Sequence, residues 1–147
     1  MRGIATADVD GDGRVDFATG NQWDTSYFYR NEGRTTNRFL GLRLLLPIHP
    51  TRATVTEPGH PVQLIGRPAI GATVTVHLPD GTSRIAEVDG GNGHSGKRSP
   101  EIHFGLGSIP ENTSLNVEIR WRDTTGVHHQ TLKLNPGWHT VLLGASP

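Results

Sequence analysis

The sequence predicts an all-β chain: a β-sandwich or small barrel, preceded by a strand–loop–strand unit built on an acidic turn. Three observations predict it. Short segments alternate apolar and polar residues, the period of a half-buried strand. Turn formers separate those segments, with 19 glycines and 10 prolines in 147 residues. Charged residues are only 19% of the chain, low for a protein of long helices, and no stretch carries a helical period.

Gly3-Ile4-Ala5-Thr6-Ala7 and Val15-Asp16-Phe17-Ala18-Thr19-Gly20 read as short strands of small and β-branched residues. Between them runs Asp8-Val9-Asp10-Gly11-Asp12-Gly13-Arg14-Val15-Asp16, with carboxylates at every second position and one skipped slot. Calcium is a hard cation that takes roughly six to eight oxygen ligands at about 2.3–2.6 Å. Asp8, Asp10, Asp12, the carbonyl of Arg14 and Asp16 are the expected set, with Gly11 and Gly13 giving the backbone its freedom to turn. Four carboxylates this close repel one another, so a counter-ion is their natural partner. An EF-hand would carry a bidentate Glu at the twelfth loop position and helices on both sides. Here Thr19 stands at that position and the flanks are strands. The simpler alternative is a solvated acidic turn.

Further on, Phe39 to Leu46 reads as a strand ended by Pro47, and His49 to Pro68 as a connection with one short edge strand. Ile70 to Leu78 sends Ala72, Val74, Val76 and Leu78 to one face and Thr73, Thr75 and His77 to the other. Pro79-Asp80-Gly81 turns the chain into a partner strand, Thr82 to Val88. Ile102-His103-Phe104 is an apolar strand. In the next, Val117, Ile119 and Trp121 alternate with Glu118, Arg120 and Arg122. Asp123-Thr124-Thr125-Gly126 leads into Val127 to Leu134, and Asn135-Pro136-Gly137 into Trp138 to Leu143.

Two resemblances emerge from these residues. The strand, acidic loop and strand, continued by Tyr27-Phe28-Tyr29-Arg30-Asn31-Glu32-Gly33, resemble one FG-GAP or VCBS-type repeat, the calcium-binding blade motif of integrin-like β-propellers. That resemblance implies the same ligands: Asp8, Asp10, Asp12, Arg14 through its carbonyl, and Asp16. Phe39-Leu40-Gly41-Leu42-Arg43, Ile70-Gly71-Ala72-Thr73-Val74-Thr75-Val76, His103-Phe104-Gly105-Leu106-Gly107 and Val117-Glu118-Ile119-Arg120-Trp121 together resemble the ASPIC/UnbV domain. That domain lies at the C-terminal end of FG-GAP repeat proteins, many of them secreted. Arg122-Asp123 departs from the Pro and Gly that the family more often has after the Trp. The implied organisation is a calcium-binding partial blade over residues 1–36 and an ASPIC/UnbV-like sandwich over 37–147. One blade cannot close a propeller of four to eight, so the chain is expected to begin inside a longer protein.

Other chemistry is read down. Gly91-Asn92-Gly93-His94-Ser95-Gly96 matches G-x-G-x-x-G, but Pro100 and an apolar strand come after it where a dinucleotide site needs a helix. As a P-loop it fails at Arg98, which stands where a magnesium-binding Ser or Thr belongs. The expected form is a glycine-rich connection, with His94, Lys97 and Arg98 exposed to a partner. His128 and His129 are adjacent in a strand and point to opposite faces. His103 reads as a hydrogen-bonded structural residue, and Trp23, Trp121 and Trp138 as core or rim. Ser95 has no nucleophile-elbow context, and no Ser-His-Asp set assembles from local spacing. Asn112-Thr113-Ser114 matches a glycosylation acceptor.

Lys plus Arg and Asp plus Glu are 14 each, and no basic stripe marks a nucleic-acid binder. With no cysteine, disulfides and thiol chemistry are excluded. The Leu40 to Ile48 run is too short and too interrupted to cross a bilayer. The functional expectation is an extracellular, calcium-binding, non-catalytic adhesion or interaction module, with a protein partner or self-association. Calcium would order the loop and weld the repeat to the sandwich. The alternative is a structural protomer of a fibre or surface array, assembled by strand complementation through residues 1–33. A third reading is a carbohydrate-binding or accessory module of a glycan-active enzyme, with sugar contact through Trp23, Tyr27 and Tyr29.

Overall fold

A computed structural model of the chain describes residues 3–49, 51, 53–91 and 97–144. Among these residues every regular element is a strand. The strands are β1 (Gly3–Ala7), β2 (Asp16–Gly20), β3 (Tyr27–Tyr29), β4 (Arg38–Pro47), β5 (Val55–Pro58), β6 (Gly66–Pro68), β7 (Thr73–His77), β8 (Ser83–Glu87), β9 (Lys97–Arg98), β10 (Ile102–Gly107), β11 (Leu115–Asp123), β12 (Gly126–Leu134) and β13 (Gly137–Leu142). They form three sheets. The first runs β3-β2-β1-β9, the second β10-β4-β13-β5 with β6 also on β4, and the third β12-β11-β7-β8.

The second and third sheets face each other across one core, which makes the larger unit a sandwich. Alternation decides what enters it. Leu40, Leu42, Leu44 and Leu46 of β4 meet Val74 and Val76 of β7 and Val117, Ile119 and Trp121 of β11. The expected face of Ala72, Val74, Val76 and Leu78 is buried throughout. Asp80 accepts hydrogen bonds from the Thr82 N–H (2.9 Å) and hydroxyl (2.6 Å), which close the β7–β8 turn and hold the Asp80 carboxyl below its usual range.

Two features were not legible locally. The Pro-rich connection carries two short strands where one was expected: β5 lies antiparallel to β13 and β6 to β4. The other is β9, which pairs in parallel with β1 at Ala5–Lys97 and Thr6–Arg98. A strand from the later part of the chain therefore joins the N-terminal sheet. Most of the glycine-rich motif, residues 92–96 with His94 and Ser95, lies outside the described residues. The segment directly after it is the strand β9, as the reading against a nucleotide site requires.

The other face of β4 positions the site. His103 of β10 and Trp138 of β13 both pair with Gly41 of β4, one on each side. A β-carbon at Gly41 would overlap the indole of Trp138. Glycine there opens room for two large rings on neighbouring strands, and Phe39, two residues earlier, joins them. Phe39 stacks on His103 at 5.1 Å between centroids, and Trp138 meets Phe39 edge-on at 5.9 Å. His60 closes the far side of the indole at 4.8 Å. The second sheet thus carries an aromatic platform on the face turned away from the core.

Candidate functional site

The acidic segment closes the β1–β2 hairpin, whose last register pair is Ala7 with Asp16. Gly11 and Gly13 take φ of +73° and +86°, left-handed conformations that cost an L-residue about 1–2 kcal/mol. The turn they permit folds the carboxylates back on one another. Asp8, Asp10 and Asp16 each present an oxygen, all within 4.8 Å of one another.

Backbone N–H groups hold this arrangement. Asp8 Oδ1 accepts from Asp12 N (3.0 Å) and Oδ2 from Gly13 N (2.8 Å). Asp16 is buried and accepts from Asn31 N (2.7 Å) and Val9 N (3.1 Å). The Asn31 bond is the main reason its carboxyl sits below the usual range, with help from Val9, Arg30 and Arg14 and against the cost of burial. Asp10 is the outermost of the three and pairs with Arg30 at 2.7 Å. Asp12 lies apart from the three-carboxylate cluster: its side chain pairs with the Arg14 guanidinium and accepts from Arg14 N at 2.9 Å. Arg14 also donates from Nε to the Asn31 carbonyl at 2.7 Å. Of the five expected ligands, then, three carboxylates converge, Asp12 is turned to Arg14, and Arg14 contributes its side chain to the loop's charge balance.

Four carboxylates face two guanidinium groups here, which leaves two negative charges. An all-oxygen donor set with that surplus fits a hard divalent cation and suits neither a soft metal nor an anion. Asp8, Asp10 and Asp16 are the residues that would hold it.

The loop rests on the aromatic platform. Trp138 Nε1 donates to Asp8 Oδ2 at 2.7 Å, across 130 residues of sequence. His103 Nε2 donates to the Gly13 carbonyl at 2.8 Å. Phe39 lies so close under Gly13 that a β-carbon there would overlap its ring. A crevice of about 220 Å³ remains between loop and platform, with Asp8, Arg98, Glu101, His103 and Trp138 on its walls. Arg98 is anchored at 3.3 Å by Asp89, and Glu101 by His60 at 3.1 Å. Sequence reasoning placed His103 as a structural, hydrogen-bonded residue, and it is one. It missed that His103 and Trp138 act on the acidic loop, because nothing local ties residue 138 to residue 8.

Elsewhere, Trp23 is 90% exposed, and Tyr27, Phe28 and Tyr29 are exposed as well. Tyr29 stacks on Phe17 at 4.6 Å and Tyr27 leans on Tyr29 at 6.2 Å. His128 and His129 do diverge: His128 stacks on Trp121 (5.3 Å) and bonds Asp123 (2.9 Å), while His129 is exposed. One row escaped local spacing. Ser83 Oγ lies 2.9 Å from His77 Nδ1, and His77 Nε2 lies 3.0 Å from Glu118 Oε1, across three adjacent strands. His77 and Glu118 are 41% and 58% exposed on an open sheet face, where water competes for each bond, so the row is cross-strand surface pairing.

Comparison with known families agrees with this arrangement. Residues 2–36 match the FG-GAP repeat, and residues 65–147 match the family described as ASPIC and UnbV. The FG-GAP repeat is a calcium-binding type of module, and the cluster of Asp8, Asp10 and Asp16 lies within it. No curated protein matches the chain.

Proposed function

Since this chain belongs to the ASPIC and UnbV family and carries an FG-GAP repeat ahead of that domain, we propose that it is an extracellular, calcium-binding, non-catalytic interaction module. The observation that carries the interaction reading is the first sheet. Its register puts Ile4, Phe17, Tyr27 and Tyr29 on one face and Phe28 on the other, and all of them are exposed. A sheet with solvated apolar side chains on both faces is a surface made to be covered.

The calcium part rests on the convergent carboxylates. Open loops of this kind bind calcium at about 0.1–1 mM, a range filled outside cells and not in the cytosol. At a tenfold excess of ion over Kd, binding to the folded state alone adds about 1.4 kcal/mol. For a chain of this size that is roughly 3–6 °C in melting temperature.

The fibre reading keeps one supporting feature. β3 is a three-residue aromatic edge strand of the first sheet, open to pairing. β1, by contrast, is already paired on both sides within the chain, by β2 and β9. Glycan contact through Trp23, Tyr27 and Tyr29 draws on the same exposed rings.

Asp10→Asn tests the calcium reading. Asp10 is the most exposed cluster member, and its ion-pair partner is the exposed Arg30. The variant should melt like the parent in EDTA, yet lose most of the stabilisation that about 1 mM calcium confers. A calorimetric titration in which Asp10→Asn binds as tightly as the parent would count against the site.

A further inference from the structure

Trp138 and His103 belong to the C-terminal unit, yet each makes its polar contact with the acidic loop. We propose that they are positioning residues for the metal site, so that calcium affinity depends on the docked sandwich and calcium in turn tightens the docking. The inference rests on the calcium reading above and adds the residues through which the second unit would act.

The geometry singles out Trp138. Its N–H is a donor only, so it can hold a carboxylate without ever competing for the cation. It reaches Asp8 Oδ2, the oxygen also held by Gly13 N, while Asp12 N holds the other oxygen. Three donors therefore fix the plane of the Asp8 carboxylate. The indole itself cannot swing freely. Gly41 lies beneath it, Phe39 and His103 meet it edge-on, and His60 leans on it at 4.8 Å.

His103 acts one peptide before the expected Arg14 carbonyl. The peptide joining Gly13 to Arg14 is held at both ends, its carbonyl by His103 and its N–H by Asp12 Oδ1. With that plane fixed, the loop is set before any ion arrives. Groups that orient metal ligands without touching the metal are commonly worth about 10–100-fold in affinity. Coupling of this kind is reciprocal: if docking raises ion affinity by some factor, ion binding favours docking by the same factor. β9, which pairs with β1 just before Asp8, is the second mechanical link between the two units.

The test is Trp138→Phe in the full chain, which keeps an aromatic ring over Gly41 and removes the donor. Calcium binding is measured by calorimetry, alongside melting in EDTA. The expected result is a calcium Kd raised at least about tenfold, with a much smaller change in the EDTA melt. An unchanged Kd in a folded Trp138→Phe protein overturns the proposal and leaves the calcium site standing. Absence of calcium binding in the parent itself overturns both. If the variant does not fold, the unmutated protein decides: calcium should shift the Trp138 indole N–H resonance and slow its exchange, leaving exposed Trp23 unmoved. An indole resonance indifferent to calcium overturns the proposal.

Discussion

Gly11→Ala and Gly13→Ala separate the strain of the acidic loop from its docking. Both glycines have positive φ, +73° and +86°, and both lie between aspartates or beside one. Each alanine pays about 1–2 kcal/mol for the left-handed backbone. At Gly11 nothing lies within 4 Å of the added carbon, so strain is the whole cost. At Gly13 the carbon overlaps the Phe39 ring, which has to move or push the loop away. Moving Phe39 forfeits its stack on His103 and its edge contact with Trp138, about 0.5–1.5 kcal/mol each. Lifting the loop forfeits the His103 bond to the Gly13 carbonyl, about 0.5–1.5 kcal/mol. The cheaper of the two routes sets the excess cost at Gly13, about 0.5–1.5 kcal/mol, or roughly 1–6 °C in melting temperature for a chain of this length. Equilibrium urea unfolding of both variants in EDTA measures the difference free of any ion. If the two variants lose equal stability, the platform does not hold the loop, and docking contributes nothing to its order.

Three further outcomes are expected. Asp123 is held well below the usual carboxylate range, first by the Thr125 hydroxyl and then by His128. A depressed folded pKa gives stability that is present above the unfolded value of about 3.9 and lost as pH falls through the folded one. The urea midpoint should therefore drop below about pH 4 in the parent and drop less steeply in Asp123→Asn; parallel curves would contradict the assignment. Trp23→Ser, at a 90% exposed site in the connection between β2 and β3, should leave the melt unchanged while weakening association through that end of the repeat. Light scattering after gel filtration, in about 1 mM calcium and then in EDTA, reads that association. Calcium-dependent assemblies lost in Trp23→Ser place the connection between β2 and β3 in the contact, and assemblies indifferent to Trp23 exclude that residue from it. Asp10→Asn should separate from the parent only when calcium is added, by a few degrees in melting temperature.

Most of the fold was legible because a strand writes its burial into a two-residue period. Val74, Val76, Val117, Ile119 and Trp121 alternate in sequence and are buried in the structure for that one reason. The acidic hairpin was legible too, since Asp8, Asp10 and Asp16 lie close together along the chain and glycines mark the turn between them. Short strands without a period were harder. β5, β6 and β9 carry Pro, Gly or basic residues, and their partners β13, β4 and β1 supply the hydrogen bonds that define them.

An all-β chain, a strand–acidic loop–strand unit ahead of a sandwich, and the oxygen chemistry of the loop could all be read along the chain. Those are properties of neighbours along the chain: alternation, turn chemistry and the crowding of carboxylates. Folding in three dimensions turns Asp12 to Arg14 while Asp8, Asp10 and Asp16 converge, and brings Trp138 and His103 onto the loop from another sheet. Gly41 shows why. Its residue type becomes meaningful once β10 and β13 flank β4, because the missing side chain makes room for rings that arrive from 62 and 97 residues away.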